Sequence, residues 1–124
     1  MLKPVETIKI LQNNSHHLKS FAAGEIIFQQ GTKGNMMYGI IEGEVEMLVN
    51  DKVVETIKQG DVFGQGALLH SDHLRTSTAR AKTNCHIACL DQQHFLFAVQ
   101  ETPMFALEVM RSYSDRLRSL KLLI

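Results

Sequence analysis

The chain has 124 residues, 44% hydrophobic and 21% charged, which is the size and composition of one globular domain, residues 1–124, with a buried core. Its 13 Lys and Arg residues balance its 13 Asp and Glu residues, and this zero net charge argues against a general nucleic-acid binder. No apolar run approaches the roughly 20 residues that span a bilayer, and residues 1–6 begin no signal sequence, so we expect a cytoplasmic protein that binds neither nucleic acid nor membrane.

The N-terminal segment has a helical pattern that gives way to a glycine-punctuated region. Val5, Ile8 and Leu11 are spaced as on one side of a helix, so residues 1–19 are predicted to form a short helix and a turn. All eight glycines lie in residues 20–92, on both sides of short β-rich runs. This arrangement is typical of a compact all-β unit.

Short runs of β-branched and aromatic residues predict most of the strands of this unit. Turn signals such as Asn50-Asp51 and Gly60-Asp61 separate the runs. Seven or eight short strands with tight turns favour a closed antiparallel β-roll or jelly-roll barrel over an open sheet. The predicted strands are residues 26–28, 38–41, 44–49, 52–57, 62–63, 76–81 and 85–90.

Cys85 and Cys89 lie four residues apart in the last predicted strand. At about 3.3 Å per residue, their sulfurs are roughly 13 Å apart on one face. That separation is too large for a disulfide or for a shared zinc ion. We therefore predict two buried free thiols in a reducing compartment.

Residues 93–124 change to a helical period. Phe95, Leu96 and Val99 predict a short helix that ends near Pro103. The apolar residues after this proline recur at spacings of three and four, which predicts an amphipathic helix of about 20 residues. This stripe can pack on its own barrel or form a dimer seam, and the sequence leaves both open. Its members are Phe105, Val109, Tyr113, Leu117, Leu120 and Ile124.

Residues 63–78 combine several features of an anion site. A strand ends at two closely spaced glycines, Gly64 and Gly66, a short apolar helical turn follows, and Arg75 precedes three hydroxyl residues. Glycines let backbone N–H groups approach an anion, and a guanidinium with adjacent hydroxyls offers several donors to one phosphate. The alternative is a glycine-rich turn and a surface arginine without a ligand.

Four stretches in this order resemble the cyclic nucleotide-binding domain of cAMP-receptor-type bacterial regulators, protein kinase A regulatory subunits and nucleotide-gated channels. They are residues 23–31, 37–43, 60–64 and 75–81. The resemblance covers about residues 18–121. It implies a mainly β fold with flanking helices: an antiparallel β-roll or jelly-roll barrel with an N-terminal helix and two C-terminal helices.

The resemblance also implies ligand-binding roles. Arg75 stands at the position whose guanidinium pairs with the cyclic phosphate, and Thr76 stands beside it. Gln65 stands where the family has a glutamate that accepts a hydrogen bond from the ribose 2′-hydroxyl. A glutamine carbonyl can still accept that bond, without the assistance of a charge. The implied ligand-binding residues are Gly64, Gln65, Gly66, Ala67, Arg75, Thr76 and Arg116.

Further positions depart from the family pattern. Gly66 replaces a bulky apolar residue, which loosens the short helix. Arg116 falls at an arginine position of the last helix, but Leu120 and Lys121 replace the hydroxyl residues that contact the purine base. The base preference of a bound nucleotide is therefore open.

We expect a regulatory sensor module that binds cAMP, cGMP or a similar small anion, needs no cofactor and signals through its C-terminal helix as a homodimer. No helix-turn-helix follows residue 124, so we expect the output to pass to a partner or a second copy. The alternative is a degenerate fold that acts as a ligand-independent dimerisation or interaction scaffold.

We predict neither catalysis nor a metal site. The chain has no recognisable nucleophile–base–orienter set and no Gly-x-Ser-x-Gly motif, so we do not expect an enzyme. The histidines are scattered or lie in predicted loops, and we interpret them as exposed residues without a metal: His16, His17 and His86, and His70 and His73 with the neighbouring Asp72.

Overall fold

Eight strands and four helices form over residues 2–124, the part of the chain that this computed structural model describes. The strands are β1 (His17–Phe21), β2 (Ile26–Phe28), β3 (Met36–Glu42), β4 (Val45–Val49), β5 (Lys52–Ile57), β6 (Val62–Phe63), β7 (Thr78–Ala81) and β8 (Cys85–Asp91). The helices are α1 (Pro4–Asn14), α2 (Gly66–Leu69), α3 (Gln92–Glu101) and α4 (Met104–Lys121).

The strands form two four-stranded antiparallel sheets. One sheet has the order β1-β8-β3-β6 and the other has the order β2-β7-β4-β5. The predicted jelly-roll fold with one helix before it and two helices after it is confirmed. The short helical turn that was predicted after the paired glycines is α2.

Strand β8 contributes to two hydrophobic cores. Cys85 and Ile87 belong to the core inside the β-roll, whereas Ala88 and Leu90 belong to the core under the helices. A strand that is buried on both faces has a nearly continuous apolar sequence instead of an alternating one. Both cysteines are buried and unbridged, as predicted, and burial raises the pKa of Cys89 to about 11.

The two cores lie on opposite sides of the sheet that contains β8. The core inside the β-roll consists of Ile40, Val45, Met47, Ile57, Phe63, Ala79, Ala81, Cys85 and Ile87. The second core joins helices α1, α3 and α4 to the sheet, through Leu11, Met37, Val62, Ala88, Leu90, Ala98, Phe105 and Val109.

Strand β1 begins at His17, so the β-roll starts there and not at residue 20. Its residues pair with β8, from His17 opposite Cys89 to Phe21 opposite Cys85. The three central side chains of β1 are exposed and the two end ones are half-buried. Backbone hydrogen bonds define this edge strand, and the alternation that identifies a strand in a sequence is missing.

A tight turn connects β4 to β5 at the predicted position. Asn50 and Asp51 have φ angles of 51° and 67°. Two successive residues with positive φ form the hairpin turn whose twist matches that of the flanking strands, and Asn and Asp tolerate this conformation well.

The apolar stripe of α4 divides into a covered part and an open part. Phe105 and Val109 are buried against the barrel, whereas Leu117 and Leu120 are 54% and 40% exposed. The barrel therefore covers only the N-terminal half of the stripe. None of the helices within residues 2–124 has both the length and the apolar character that a membrane crossing requires.

Candidate functional site

Residues of the barrel, α2 and α4 line a cleft of about 360 Å³. This volume lies within the range of small-molecule sites, about 300–1,000 Å³. Backbone of the α2 region, two arginines, one carboxylate and several apolar side chains make up its wall. The lining residues are Phe28, Met47, Glu55, Gly64, Gly66, Ala67, Leu69, His70, Leu74, Arg75, Thr76, Ser77, Tyr113 and Arg116.

The structure brings six of the seven predicted site residues to this wall: Gly64, Gly66, Ala67, Arg75, Thr76 and Arg116. Gln65 is buried, with 1% of its surface exposed, and is not among the lining residues. Its side-chain amide oxygen and nitrogen have no hydrogen-bond partner among the described residues. Each unpaired buried polar group costs about 1–3 kcal/mol. A group from outside the described chain that pairs with this amide would therefore be stabilising.

The guanidinium of Arg75 is built into the wall of the cleft. Its Nη1 donates a hydrogen bond to the carbonyl of Gly64 at 2.7 Å, and its Nη2 donates to the carbonyl of Met36 at 2.6 Å. Its Cζ lies 4.0 Å from the centre of the Phe28 ring, which adds a cation–π contact. Only 4% of the residue is exposed.

This buried cation has no acidic partner among the described residues. Within residues 2–124, no carboxylate forms an ion pair with Arg75, and its Nε is buried without an acceptor. Burial lowers the pKa of Arg75 while the nearby Tyr38 opposes that shift, yet a guanidinium stays charged in proteins. Because an unpaired buried charge is costly, an anion in the cleft would stabilise this arrangement.

Backbone hydrogen bonds also hold the main chain of Arg75 in position, in addition to the contacts of its side chain. The N–H of Arg75 donates to the carbonyl of Thr32 at 2.8 Å, and the N–H of Gly31 donates to the carbonyl of Arg75 at 2.8 Å. The N–H of Gly34 donates to the carbonyl of His73 at 2.9 Å. The connection between β2 and β3 is thereby held against the segment before β7.

Two glycines make room for the arginine side chain. A Cβ atom at Gly34 would overlap Nε and Cζ of Arg75. At Gly64, where φ is +78°, a Cβ atom would lie 2.9 Å from Nη1 of Arg75. Gly64 was predicted as a place where backbone approaches an anion, and the structure adds that it leaves space for the guanidinium.

Arg116 lines the cleft and also joins α4 to the barrel. Its Nη1 donates to the carbonyl of Val62 at 2.6 Å and to Oγ of Ser112 at 3.0 Å. Its Nε lies 3.4 Å from a carboxylate oxygen of Glu55 on β5. Ser112 in turn donates to Asp61 at 2.5 Å, so one polar network connects α4 with β5 and β6.

Three of the lining residues were not predicted from the sequence as site residues: Phe28, Glu55 and Tyr113. Tyr113 was assigned only to the apolar stripe of the last helix, yet a methyl group at Gly66 would lie 3.9 Å from its hydroxyl. The Cζ of Arg116 lies 5.3 Å from the centre of the Tyr113 ring. No local signal marks these three residues, because each reaches the cleft from a distant part of the chain.

Comparison with known proteins gives matches along most of the chain. A family model described as the cyclic nucleotide-binding domain matches residues 18–102. A cAMP-dependent protein kinase regulatory subunit of Schizosaccharomyces pombe is 42% identical over 76 residues, 60% of this chain and 18% of that protein. The cAMP-activated global transcriptional regulator CRP of Pasteurella multocida is 26% identical over 108 residues, 83% of this chain and 52% of that protein. The chain thus spans about half or less of the length of these relatives.

Solved structures share the fold. The c-di-GMP responsive global regulator CLP of Xanthomonas campestris superimposes with a TM-score of 0.82 at 20% identity, covering 94% of this chain and 61% of that chain. A cAMP-bound PfPKA-R structure gives a TM-score of 0.74 at 25% identity, covering 97% of this chain and 45% of that chain. The β-roll and its flanking helices therefore match those of larger regulatory proteins.

Replacing Gly34 with alanine tests whether the Arg75 guanidinium is fixed by its surroundings. Because the new methyl group overlaps Nε and Cζ of Arg75, the side chain or the β2–β3 connection must move. We expect Gly34→Ala to lower the free energy of unfolding by about 1–3 kcal/mol, the usual cost of overpacking. Urea denaturation followed by circular dichroism measures it.

Gly66→Ala is the matched control for this substitution. The nearest atoms to a methyl group at Gly66 lie 3.9 Å away, which is an ordinary contact. Alanine also favours a helix over glycine by about 1 kcal/mol, so this variant should be as stable as the parent or slightly more stable. Equal stability of the two variants would contradict the packing described for Arg75.

Proposed function

The chain belongs to the cyclic nucleotide-binding domain family, and on that premise we propose that its cleft binds a purine cyclic nucleotide, cAMP or cGMP, as the input of a regulatory module. The observation that carries this proposal is the buried guanidinium of Arg75, which lines the cleft and has no carboxylate partner within residues 2–124. A cyclic phosphate brings the negative charge that Arg75 lacks among the described residues, because the Glu55 carboxylate of the wall pairs with Arg116. The role is one of binding and not of catalysis.

Donors for the phosphate are available around Arg75. A guanidinium carries five N–H bonds, and two of them go to the carbonyls of Gly64 and Met36. Thr76, which carries a hydroxyl group, lines the cleft. The first N–H groups of a helix have no partner within it, and here they belong to Gly66 and Ala67. One phosphate can therefore accept both charged and neutral hydrogen bonds.

Gln65 supplies the proposed contact to the ribose. Its amide is buried without a partner among the described residues, next in sequence to the glycines of the cleft wall. A ribose hydroxyl can donate to its carbonyl oxygen and accept from its NH₂ group. This contact would relieve the cost of the unpaired amide, and it requires a rearrangement that exposes Gln65 to the cleft.

Signalling through α4 follows from the residues that the cleft and the helix share. Tyr113 and Arg116 both line the cleft and both belong to α4. Arg116 holds this helix to Val62 and Glu55, so a nucleotide that competes for Arg116 changes how α4 is held. A ligand shifts the position of the helix only by its differential affinity for the two positions.

We further propose that a second copy of the chain covers the open part of α4. Met110, Tyr113, Leu117 and Leu120 are 62%, 38%, 54% and 40% exposed, and they recur at spacings of three and four. This is the a/d pattern of a two-stranded coiled coil, which two identical helices can satisfy symmetrically. Because Tyr113 also lines the cleft, nucleotide binding and dimerisation share a residue.

A ligand-independent scaffold is the second candidate function. Arg116 is already bound to Glu55 and to the carbonyl of Val62, and Gln65 lies behind the cleft wall instead of in it. Both arrangements favour a module that dimerises without a nucleotide. We place either function in the cytoplasm, where the free thiols of Cys85 and Cys89 would stay reduced.

Titration calorimetry with cAMP and with cGMP tests the proposal, using the parent chain and variants of Arg75. Saturable binding to the parent should weaken at least about 100-fold in Arg75→Ala, because a charged, bidentate contact is worth about 3 kcal/mol or more. Arg75→Lys keeps the charge but loses the planar fork, so an intermediate loss of about tenfold or more is expected.

Arg80→Ala is the control for these two variants. Arg80 lies on the neighbouring β7, pairs with Glu46 at 3.3 Å and does not line the cleft. Its removal should leave the nucleotide affinity unchanged. A flat titration of the folded parent with both nucleotides at millimolar concentration would reject the sensor and leave the scaffold.

Gln65→Glu tests the contact to the ribose by a gain of function. A carboxylate accepts a hydrogen bond from a hydroxyl more strongly than an amide does. The difference is about 1–2 kcal/mol, so the affinity should rise roughly 5- to 30-fold in the same titration. Gln65→Ala should instead weaken binding. If Gln65→Glu binds no better than the parent, Gln65 does not contact the ribose.

Leu117→Asp tests the dimer seam. A charge placed at a core position of the proposed coiled coil must be desolvated on association, so this variant should be monomeric where the parent is dimeric. Ser119→Asp adds the same charge to an exposed position of α4 that lies off the seam and should leave the dimer intact. Sedimentation velocity distinguishes the two states, and a monomeric parent at high micromolar concentration would exclude the seam.

A further inference from the structure

Three side chains with metal-binding atoms meet where the chain passes from α1 into β1. His16 precedes β1, Asp91 ends β8, and His94 lies in the first turn of α3. One ligand atom from each residue lies within 4.8 Å of the other two. None of the three lines the nucleotide cleft, so this cluster is independent of the function proposed above.

The two imidazoles are already close to the separation that a metal requires. The rings of His16 and His94 have centroids 5.0 Å apart and lie edge to face. Ligand atoms in a tetrahedral zinc site with bonds of about 2.1 Å are about 3.4 Å apart. The three ligand atoms lie within 4.8 Å of one another, so a tetrahedral site requires them to approach by up to about 1.4 Å, which a rotation of the exposed His16 side chain can supply.

Asp91 and His94 are held in place by each other. Oδ1 of Asp91 accepts a hydrogen bond from the backbone N–H of His94 at 2.8 Å and lies 2.7 Å from its ring Nδ1. In the part of the chain that the structure describes, Oδ2 of Asp91 has no hydrogen-bond partner. This second carboxylate oxygen is therefore available as a metal ligand.

The cluster lies near the protein surface, since His16 is exposed and Asp91 and His94 are half-buried. Two surface hollows border the cluster, and His94 lines one while Asp91 lines the other. Asn13, Asn14, Ser15 and Gln93 line the first hollow together with His94. These polar groups can accept hydrogen bonds from metal-bound water or donate to it.

We propose that His16, Asp91 and His94 bind a divalent transition-metal ion, zinc above all, with water in the remaining coordination positions. Two imidazoles and one carboxylate suit zinc, whereas Mg²⁺ and Ca²⁺ prefer sites made only of oxygen ligands. His16 belongs to the connection between α1 and β1, and the other two ligands belong to the start of α3. A bound ion therefore links the N-terminal segment to α3, the helix that follows the barrel.

This site differs from the sequence-based prediction, which favoured no metal. The histidines that are close in sequence, His70 and His73, are exposed with Asp72 in the loop after α2 and do not form a metal-binding group within residues 2–124. Folding instead joins His16 to residues that are far along the chain, through the pairing of β1 with β8.

Titration of the tag-free chain with ZnCl₂ tests the proposal. We expect one zinc ion per chain and a rise in melting temperature that grows with zinc concentration. His16→Ala, Asp91→Asn and His94→Ala should each weaken zinc binding at least tenfold. Asp91→Asn is the most informative of these variants. Asparagine caps a helix as well as aspartate does, so the fold should be unchanged.

His86→Ala and MgCl₂ are the controls. His86 lies on β8 and is exposed like His16, but it is outside the cluster. Its substitution should leave the zinc affinity unchanged, and MgCl₂ at tenfold excess should not displace zinc. The absence of saturable binding below 100 μM zinc would overturn the proposal, as would zinc binding that any one of the three ligand substitutions leaves undiminished.

Discussion

The burial of one positive charge organises the cleft. The guanidinium of Arg75 is held by two backbone carbonyls and by the ring of Phe28, without a carboxylate within residues 2–124. This arrangement requires the loop after β2, the start of β3 and the end of β6 to converge on a single side chain. Gly34 and Gly64 can carry no side chain there, because the arginine occupies that space. The β-roll thus serves to place one cation beside an opening of about 360 Å³.

Helix α4 connects this cleft to the surface of the molecule. Its first turns are buried through Phe105 and Val109, while Arg116 fastens its middle to the barrel through Val62 and Glu55. The contacts that hold α4 to the barrel near the cleft are polar. Such hydrogen bonds and ion pairs can be exchanged for contacts to a charged ligand. Apolar burial at the start of the helix cannot be exchanged in this way. Any response to a ligand should therefore be largest in the C-terminal half of α4, where the exposed stripe lies.

The departures from the family pattern are easier to interpret in the structure than in the sequence. Gly66, where a bulky apolar residue is usual, lies on the cleft wall, and a Cβ atom there would make an ordinary contact of 3.9 Å with the hydroxyl of Tyr113. Gln65 keeps a hydrogen-bonding group at its position, but burial leaves that group unpaired among the described residues. Both positions lie in or beside the cleft wall, and the fold matches that of the family.

The sequence by itself determined the fold class, most strands, the two C-terminal helices and six of the residues that line the cleft. Hydrophobic residues at spacings of two indicate strands, those at spacings of three to four indicate helices, and glycines and prolines indicate turns. All of these are local signals. The family resemblance added the order of the motifs. Only the tertiary structure decided that β1 begins at His17, that Gln65 lies behind the wall, and that Glu55 and Tyr113 reach the cleft. It also brought His16 to Asp91. Each of these depends on contacts between residues far apart in the chain, and such contacts exist only once the two sheets and α4 have packed together.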